Sequence, residues 1–265
     1  MRKIVCSILS LSFFSTTLMA QEDVSLAKWQ STPVIIDGNE NDWEQPFNLF
    51  DNKSGLIFTI SNDQKNLYLC FTDKEAQKAE KLMRAGWSIE LISSEKKRKF
   101  DAIISFPKIE DPNSNTRTEF RNQVGIYKKE MVTVKAKGFV TNNGDIPLDN
   151  KDGISIGIGT DDRQSIVYEI AIPIKQLTEE QNLQFNELIT LDITVNAMNK
   201  PAGAQSNTTR SGGFSGGGGR MGGGGGRMGG GRRGGNFSAS DNSSADRSSL
   251  FDKVSFKQKI RLVHG

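Results

Sequence analysis

Ten short segments with the marks of β-strands are spread along nearly the whole chain, and few stretches carry helical periodicity. The segments are Val34–Ile36, Leu56–Ser61, Asn66–Thr72, Trp87–Ser93, Phe100–Phe106, Val132–Val140, Ile154–Gly159, Ile166–Ile172, Ile189–Ala197 and Val254–Leu262. They are rich in β-branched residues and are commonly bounded by Gly, Asn, Asp or Pro. In the last one, Val254, Phe256, Ile260 and Leu262 share one face, with Gln258 the exception. Lys253, Ser255, Lys257, Lys259 and Arg261 share the other. One face therefore meets a core and the other meets water. Asn62–Lys65 and Asn142–Asp145 read as turns between strands.

Helical signals are few. Lys74 to Arg84 is rich in Ala, Glu, Lys, Leu and Met, with Asp73 as its N-cap and Gly86 just past its end. Thr118 to Glu130 reads as a second short helix, and Ile174 to Leu177 as at most one turn. Strands in this number predict an all-β fold: an antiparallel β-sandwich of about ten strands with one or two short inserted helices.

The ends and one internal tract stand apart from this pattern. Arg2 and Lys3, the apolar run Ile4 to Phe14 and a small residue at Ala20 read as a signal peptide over 1–20. Cys6 is too early in that run to be a lipid-attachment cysteine. No later apolar run approaches the roughly 18 residues of a membrane span, so no transmembrane segment is expected after cleavage. Residues 21–32 form a polar lead-in, 33–200 the sandwich, 201–249 a disordered connection, and 250–265 a closing strand. Within the connection, sixteen of the twenty-five residues from Ser211 to Gly235 are Gly, which cannot bury a core. From Gly203 to Gly235 the tract carries Arg210, Arg220, Arg227, Arg232 and Arg233 and no acid. The chain as a whole has 34 basic and 31 acidic residues. Without the tract and the signal the balance is about 27 to 31, so the basic character belongs to the tract and not to the folded body.

The chemistry of known catalytic sites is hard to assemble here. The only histidine is His264, next to the C-terminus, so there is no Ser-His-Asp set, Cys-His pair or zinc spacing. After the signal, Cys70 is the one cysteine left. It sits between apolar residues and reads as a buried small hydrophobe, with no internal disulfide available. No cofactor is expected. Calcium could sit in the acid-rich turns Asp145–Asp152 or Thr160–Asp162, but neither matches an EF-hand loop. Glu90 and Glu169 lie inside apolar strands. Alternation puts both on a solvent face; buried, either would need a partner or a raised pKa.

Four stretches in order are similar to the DOMON-like sandwiches, in particular the family-nine-like carbohydrate-binding modules of secreted bacterial proteins of Bacteroidetes type. Val34-Ile35-Ile36-Asp37-Gly38 with Asp42-Trp43 resembles the opening turn of that family. Asn66-Leu67-Tyr68-Leu69-Cys70-Phe71-Thr72-Asp73 resembles its strand ending in an acid. Trp87-Ser88-Ile89-Glu90-Leu91-Ile92 and Tyr168-Glu169-Ile170-Ala171-Ile172-Pro173 resemble two later strands. The Arg84-Ala85-Gly86-Trp87 stretch and the Gly-rich tract depart from the pattern.

The resemblance implies an exported, periplasmic or extracellular, non-enzymatic module whose first candidate ligand is a carbohydrate or envelope glycan. Sugar faces stack on exposed aromatic rings, which singles out Trp87 beside Gly86, then Tyr68 and Trp29, with Glu90 as a polar contact. Core packing is the rival role for Trp87, and Trp43 reads as structural. The alternative from another class is a structural envelope protein contacting a polyanion through its five tract arginines. Nucleic acid is a poor fit, because the tract lacks interleaved aromatics. The sequence leaves the oligomeric state open.

Overall fold

The computed structural model describes residues 24–73, 75–93, 99–108, 131–150, 153–160, 165–178, 188–199 and 249–265, with Gly125 and Lys129. The elements in chain order are β1 (Val24–Leu26), β2 (Lys28–Trp29), β3 (Leu49–Phe50), β4 (Leu56–Asn62), β5 (Asn66–Asp73), α1 (Ala76–Ala85), β6 (Trp87–Ser93) and β7 (Phe100–Phe106). Then come β8 (Thr133–Lys137), β9 (Gly144–Pro147), β10 (Ser155–Thr160), β11 (Ile166–Pro173), β12 (Leu188–Val195) and β13 (Val254–Arg261). The chain is an all-β sandwich of two sheets with one α-helix among the described residues.

The larger sheet runs β1-β13-β12-β6-β7-β8-β9 and the smaller β10-β11-β5-β4-β2, with β3 also on β4. All pairs are antiparallel except β1 with β13 and β2 with β4, which are parallel. Residues 24–29, expected as a lead-in, thus supply a strand to each sheet. They were too short and too polar to show a period of two. β3 and β9 escaped sequence reading for the same reason of length.

Alternation decides what enters the core. In β6, Trp87, Ile89 and Leu91 point inward, and in β11 Ile166, Tyr168, Ile170 and Ile172 do the same; all are buried. Ala79, Leu82 and Met83 of α1 close the end of this core. The helix stops at Gly86, whose φ of 73° lies in the left-handed region that glycine tolerates. Its N-cap position falls on Glu75, which makes no side-chain cap bond, and not on Asp73. Asp73 Oδ1 instead accepts from the Glu75 amide at 2.8 Å. Ile174–Gln176 forms the expected single turn, of 3-10 type. The helix expected over Thr118 to Glu130 lies outside the described residues, save Gly125 and Lys129, which are helical.

Val34–Ile36 is extended but joins no ladder. It begins after Pro33, which has no N–H to give, and it crosses the outer face of the small sheet without lining up along an edge. That crossing creates a second, smaller core outside the main one: Val34, Trp43, Tyr68, Cys70, Val167 and Ala171, with Ile36 and Phe47 packed against it.

Candidate functional site

The outer face of the small sheet can be read as transverse rows from the strand register. One row is Ser155, Ala171, Tyr68, Ser61; the next is Gly157, Glu169, Cys70, Thr59. The 33–47 segment lies over the second row. It fits because Gly157 and Gly159 leave the surface of β10 bare. A Cβ on Gly159 would stand 2.0 Å from the Gly38 carbonyl oxygen, and one on Gly157 2.6 Å from the Gly38 nitrogen. Gly38 itself has φ 86° and equally little room.

Glu169 secures this crossing. Its Oε2 accepts from the amides of Asp37 (2.9 Å) and Gly38 (2.5 Å), and its Oε1 accepts from Trp43 Nε1 (2.5 Å). The side chain is fully buried. Burial pushes its pKa up to about 7, against the three hydrogen bonds that favour the charged form. Alternation had placed Glu169 on a solvent face. It does point outward from its sheet, but a segment with no strand period covers that face. Two of the stretches that carried the family resemblance, the opening turn with Trp43 and the Glu169 strand, are therefore bonded to each other.

Beside the covered row, Ser155, Ala171 and Tyr68 of the first row line an open groove of about 570 Å³. Ala171, Val34 and Ile36 give it apolar surface, and Asn66, Asp149, Asn150 and Ser155 give it a polar rim. Small residues at 155 and 171 make the depression next to Tyr68. The Tyr68 hydroxyl donates to Asp63 Oδ2 at 2.8 Å and accepts from Asn66 Nδ2 at 3.1 Å. Burial, followed by Asp63, raises its pKa to about 12, so it stays a neutral phenol. Asp63 also accepts from the Lys65 and Asn66 amides, which fixes the β4–β5 turn and with it this corner of the groove.

The four ligand residues singled out from the sequence do not converge. Trp87 is 1 % exposed, stacked on Phe106 at 4.5 Å and edge-on to Phe71 and Tyr168. It has no free face for a sugar, because its strand position points inward between the sheets. Tyr68 lines the groove but is only 2 % exposed, so it is a floor residue and not a stacking platform. Trp29 is half-buried at the sandwich edge, stacked on His264 with centroids 5.8 Å apart. Glu90 stands on the outer face of the large sheet beside Asp192 in register. Partial burial, then a hydrogen bond with Asp101 and the charges of Asp101 and Asp192, raises its pKa. Asp192 pairs with Lys257 at 2.9 Å. Glu90 and Glu169 face away from each other, with two sheets about 10 Å apart between them. They cannot form the pair of acids that flanks a glycosidic bond.

Cys70 is buried in the row beside Glu169, and burial raises its thiol pKa well above the ordinary value. Residues 1–20, expected to be a signal peptide, and the five tract arginines lie outside the described residues. No described helix is long and apolar enough to cross a membrane.

No family model matches the chain, and no curated protein is similar to it. Among solved structures it is similar to a family 9 carbohydrate-binding module from Caldicellulosiruptor kristjanssonii in complex with cellotriose. The identity is 11 %, over 66 % of this chain and 77 % of that one, at a TM-score of 0.30.

Proposed function

We propose that the protein is an exported, non-enzymatic binding module that seats a carbohydrate or envelope glycan in the groove between the 33–47 segment and residues 148–150 and 153–156. The groove carries the reading. It combines apolar surface from Ala171, Val34 and Ile36 with amide, hydroxyl and carboxylate groups, the mixture that a ring with C–H faces and peripheral hydroxyls requires. The carboxyl group with the strongest claim to catalysis, Glu169, has both oxygens engaged by donors of the 33–47 segment and is buried beneath it. The sequence resemblance to carbohydrate-binding modules supports the same class, as does the amino-terminal signal pattern.

Calorimetry against soluble β-glucan and xylan oligosaccharides, after a glycan array, tests it. Ser155→Trp fills the groove from its rim and should abolish binding, whereas Glu90→Gln on the opposite sheet should leave affinity unchanged. Binding that survives Ser155→Trp, or that disappears with Glu90→Gln, would move the site away from the groove.

A further inference from the structure

We propose that docking of the 33–47 segment takes up a proton on Glu169, so that acidification holds this wall of the groove in place and alkaline conditions loosen it. The inference concerns regulation of the groove and rests on the reading above.

The geometry makes the link short. Pro33, Val34 and Ile36 form one wall of the groove. The very next residues, Asp37 and Gly38, donate their amides to Glu169, and Trp43 closes over the same carboxyl group. The segment belongs to no strand between Gln30, whose amide bonds the Asn62 carbonyl, and β3. It can therefore lift as a local unit without breaking a ladder.

The charged groups around Glu169 fix the direction. From the segment come Asp37, Glu40 and Asp42, all acids. From β5 comes the Cys70 thiol. From β10 come only Gly157 and Gly159, and along β11 the flanking outward residues are Val167 and Ala171. Oε2 accepts two backbone amides and Oε1 a single indole N–H, so Oε1 is the oxygen with room for a proton. Docked, the group is buried, and that desolvation, with the charge of Asp42 behind it, outweighs the three N–H donors that favour the charged form. Lifted, it returns to water and to the ordinary carboxyl range. The docked state therefore binds the proton more tightly, and lifting the segment in mildly acidic solution releases it.

Hydrogen exchange by NMR on the intact, ligand-free protein tests this, read at the Asp37 and Gly38 amides and the Trp43 indole N–H and corrected for intrinsic exchange. Protection at these three sites should fall by up to about tenfold per pH unit between pH 5 and 7 and then level off. Leu69 and Ile170, in the ladder, should keep theirs. Glu169→Gln should flatten the profile. Protection that is flat or rises with pH, or a slope that persists in Glu169→Gln, overturns the proposal. If that variant does not fold, carbon-13 titration of the Glu169 carboxyl in the unaltered chain decides, and a midpoint near the ordinary 4.5 overturns it. These readouts need no ligand. A slope found in a protein that binds no glycan would remove the groove reading and leave the proton linkage standing.

Discussion

Trp43 Nε1 donates to Glu169 Oε1 across 2.5 Å, joining residues 126 positions apart and fastening an irregular segment to the middle of a sheet. The indole fills the small outer core with Val34, Cys70 and Val167 while its N–H serves the carboxyl group. Trp43→Phe keeps most of the ring and removes the donor. It should cost about 1–3 kcal/mol, the range for leaving a buried polar partner unsatisfied. Trp43→Ala adds a cavity and should cost about 3–5 kcal/mol. Urea titrations of both variants check the order; a Phe variant as stable as the parent would mean that the hydrogen bond contributes nothing, and equal losses would mean that the ring's packing adds nothing to it.

The bare surface of β10 is as necessary as the bond. Gly159→Ala would set a methyl group 2.0 Å from the Gly38 carbonyl oxygen, and backbone on both sides leaves nothing flexible to yield. The segment must shift, at about 1–3 kcal/mol. The loss should show as a lowered Tm together with a disturbed Trp43 indole resonance. A stable Gly159→Ala protein with that resonance in place would contradict the packing described.

Trp87 provides a contrast with Trp43. It is fully buried, but its Nε1–H has no hydrogen-bond partner among the described residues. Trp87→Phe therefore loses volume but no polar contact, and the desolvated N–H is removed along with it. The expected net cost is about 1–2 kcal/mol, against about 3–5 for Trp87→Ala. Glycan affinity, measured on the folded Phe variant, should not change.

Two buried carboxyl groups set the pH dependence of stability. Glu169 and Asp73 are each raised to about 7, from ordinary values of 4.5 and 3.8, with burial the leading cause in both. Asp73 Oδ2 has no hydrogen-bond partner among the described residues. In the unfolded chain both groups lose their protons near pH 4. In the folded chain they hold them to about 7. Between these values the folded state binds more protons, so stability is highest at the acidic end of the window and falls as pH rises, by about 1.4 kcal/mol per unit for each group. Guanidinium titrations at pH 5 and 8 should show the fall, and Asp73→Asn should reduce it. A protein more stable at pH 8 than at pH 5 would reverse the assignment.

Strand alternation was sufficient to sort inward from outward residues in β6, β11 and β13, because a half-buried strand repeats every two residues. It was not sufficient to say whether an outward face meets water. Glu169 and Glu90 share the same local pattern, a carboxyl between apolar neighbours, yet one is buried and the other half-exposed. The difference lies in Asp37-Gly38 and Trp43, more than 120 residues away, and in the glycines of Gly157-Ile158-Gly159, whose alternation with isoleucine was the one local sign that something crosses β10. The groove was illegible for a related reason. Its rim comes from loops and its depth from the small size of Ala171 and Ser155, neither of which has a periodic signature. Trp87 was ambiguous because a tryptophan opening a strand reads alike on either face.

The long connection between β12 and β13 can be shortened without loss of fold. The two strands are antiparallel neighbours in register, Val195 opposite Val254, so the 201–248 tract spans two points that are already adjacent. Its root is pinned on the body: the Met198 amide donates to the Leu250 carbonyl at 3.1 Å, and Lys81 of α1 donates to the carbonyls of Ser249 (2.8 Å) and Asp252 (2.7 Å). Lys81 is buried there, and desolvation lowers its pKa. Replacing residues 201–246 by a turn of about six residues reduces the closure entropy by about 1–2 kcal/mol on the logarithmic length law. The shortened protein should melt at the same temperature or higher and keep any glycan affinity. It should lose low-salt retention on an anionic polysaccharide resin if the five tract arginines make that contact, and retention that survives would take the polyanion away from the tract. Lys81→Met in the full chain should lower stability by freeing the root. A shortened chain that fails to fold would show that the tract contributes to the body and is more than a connection.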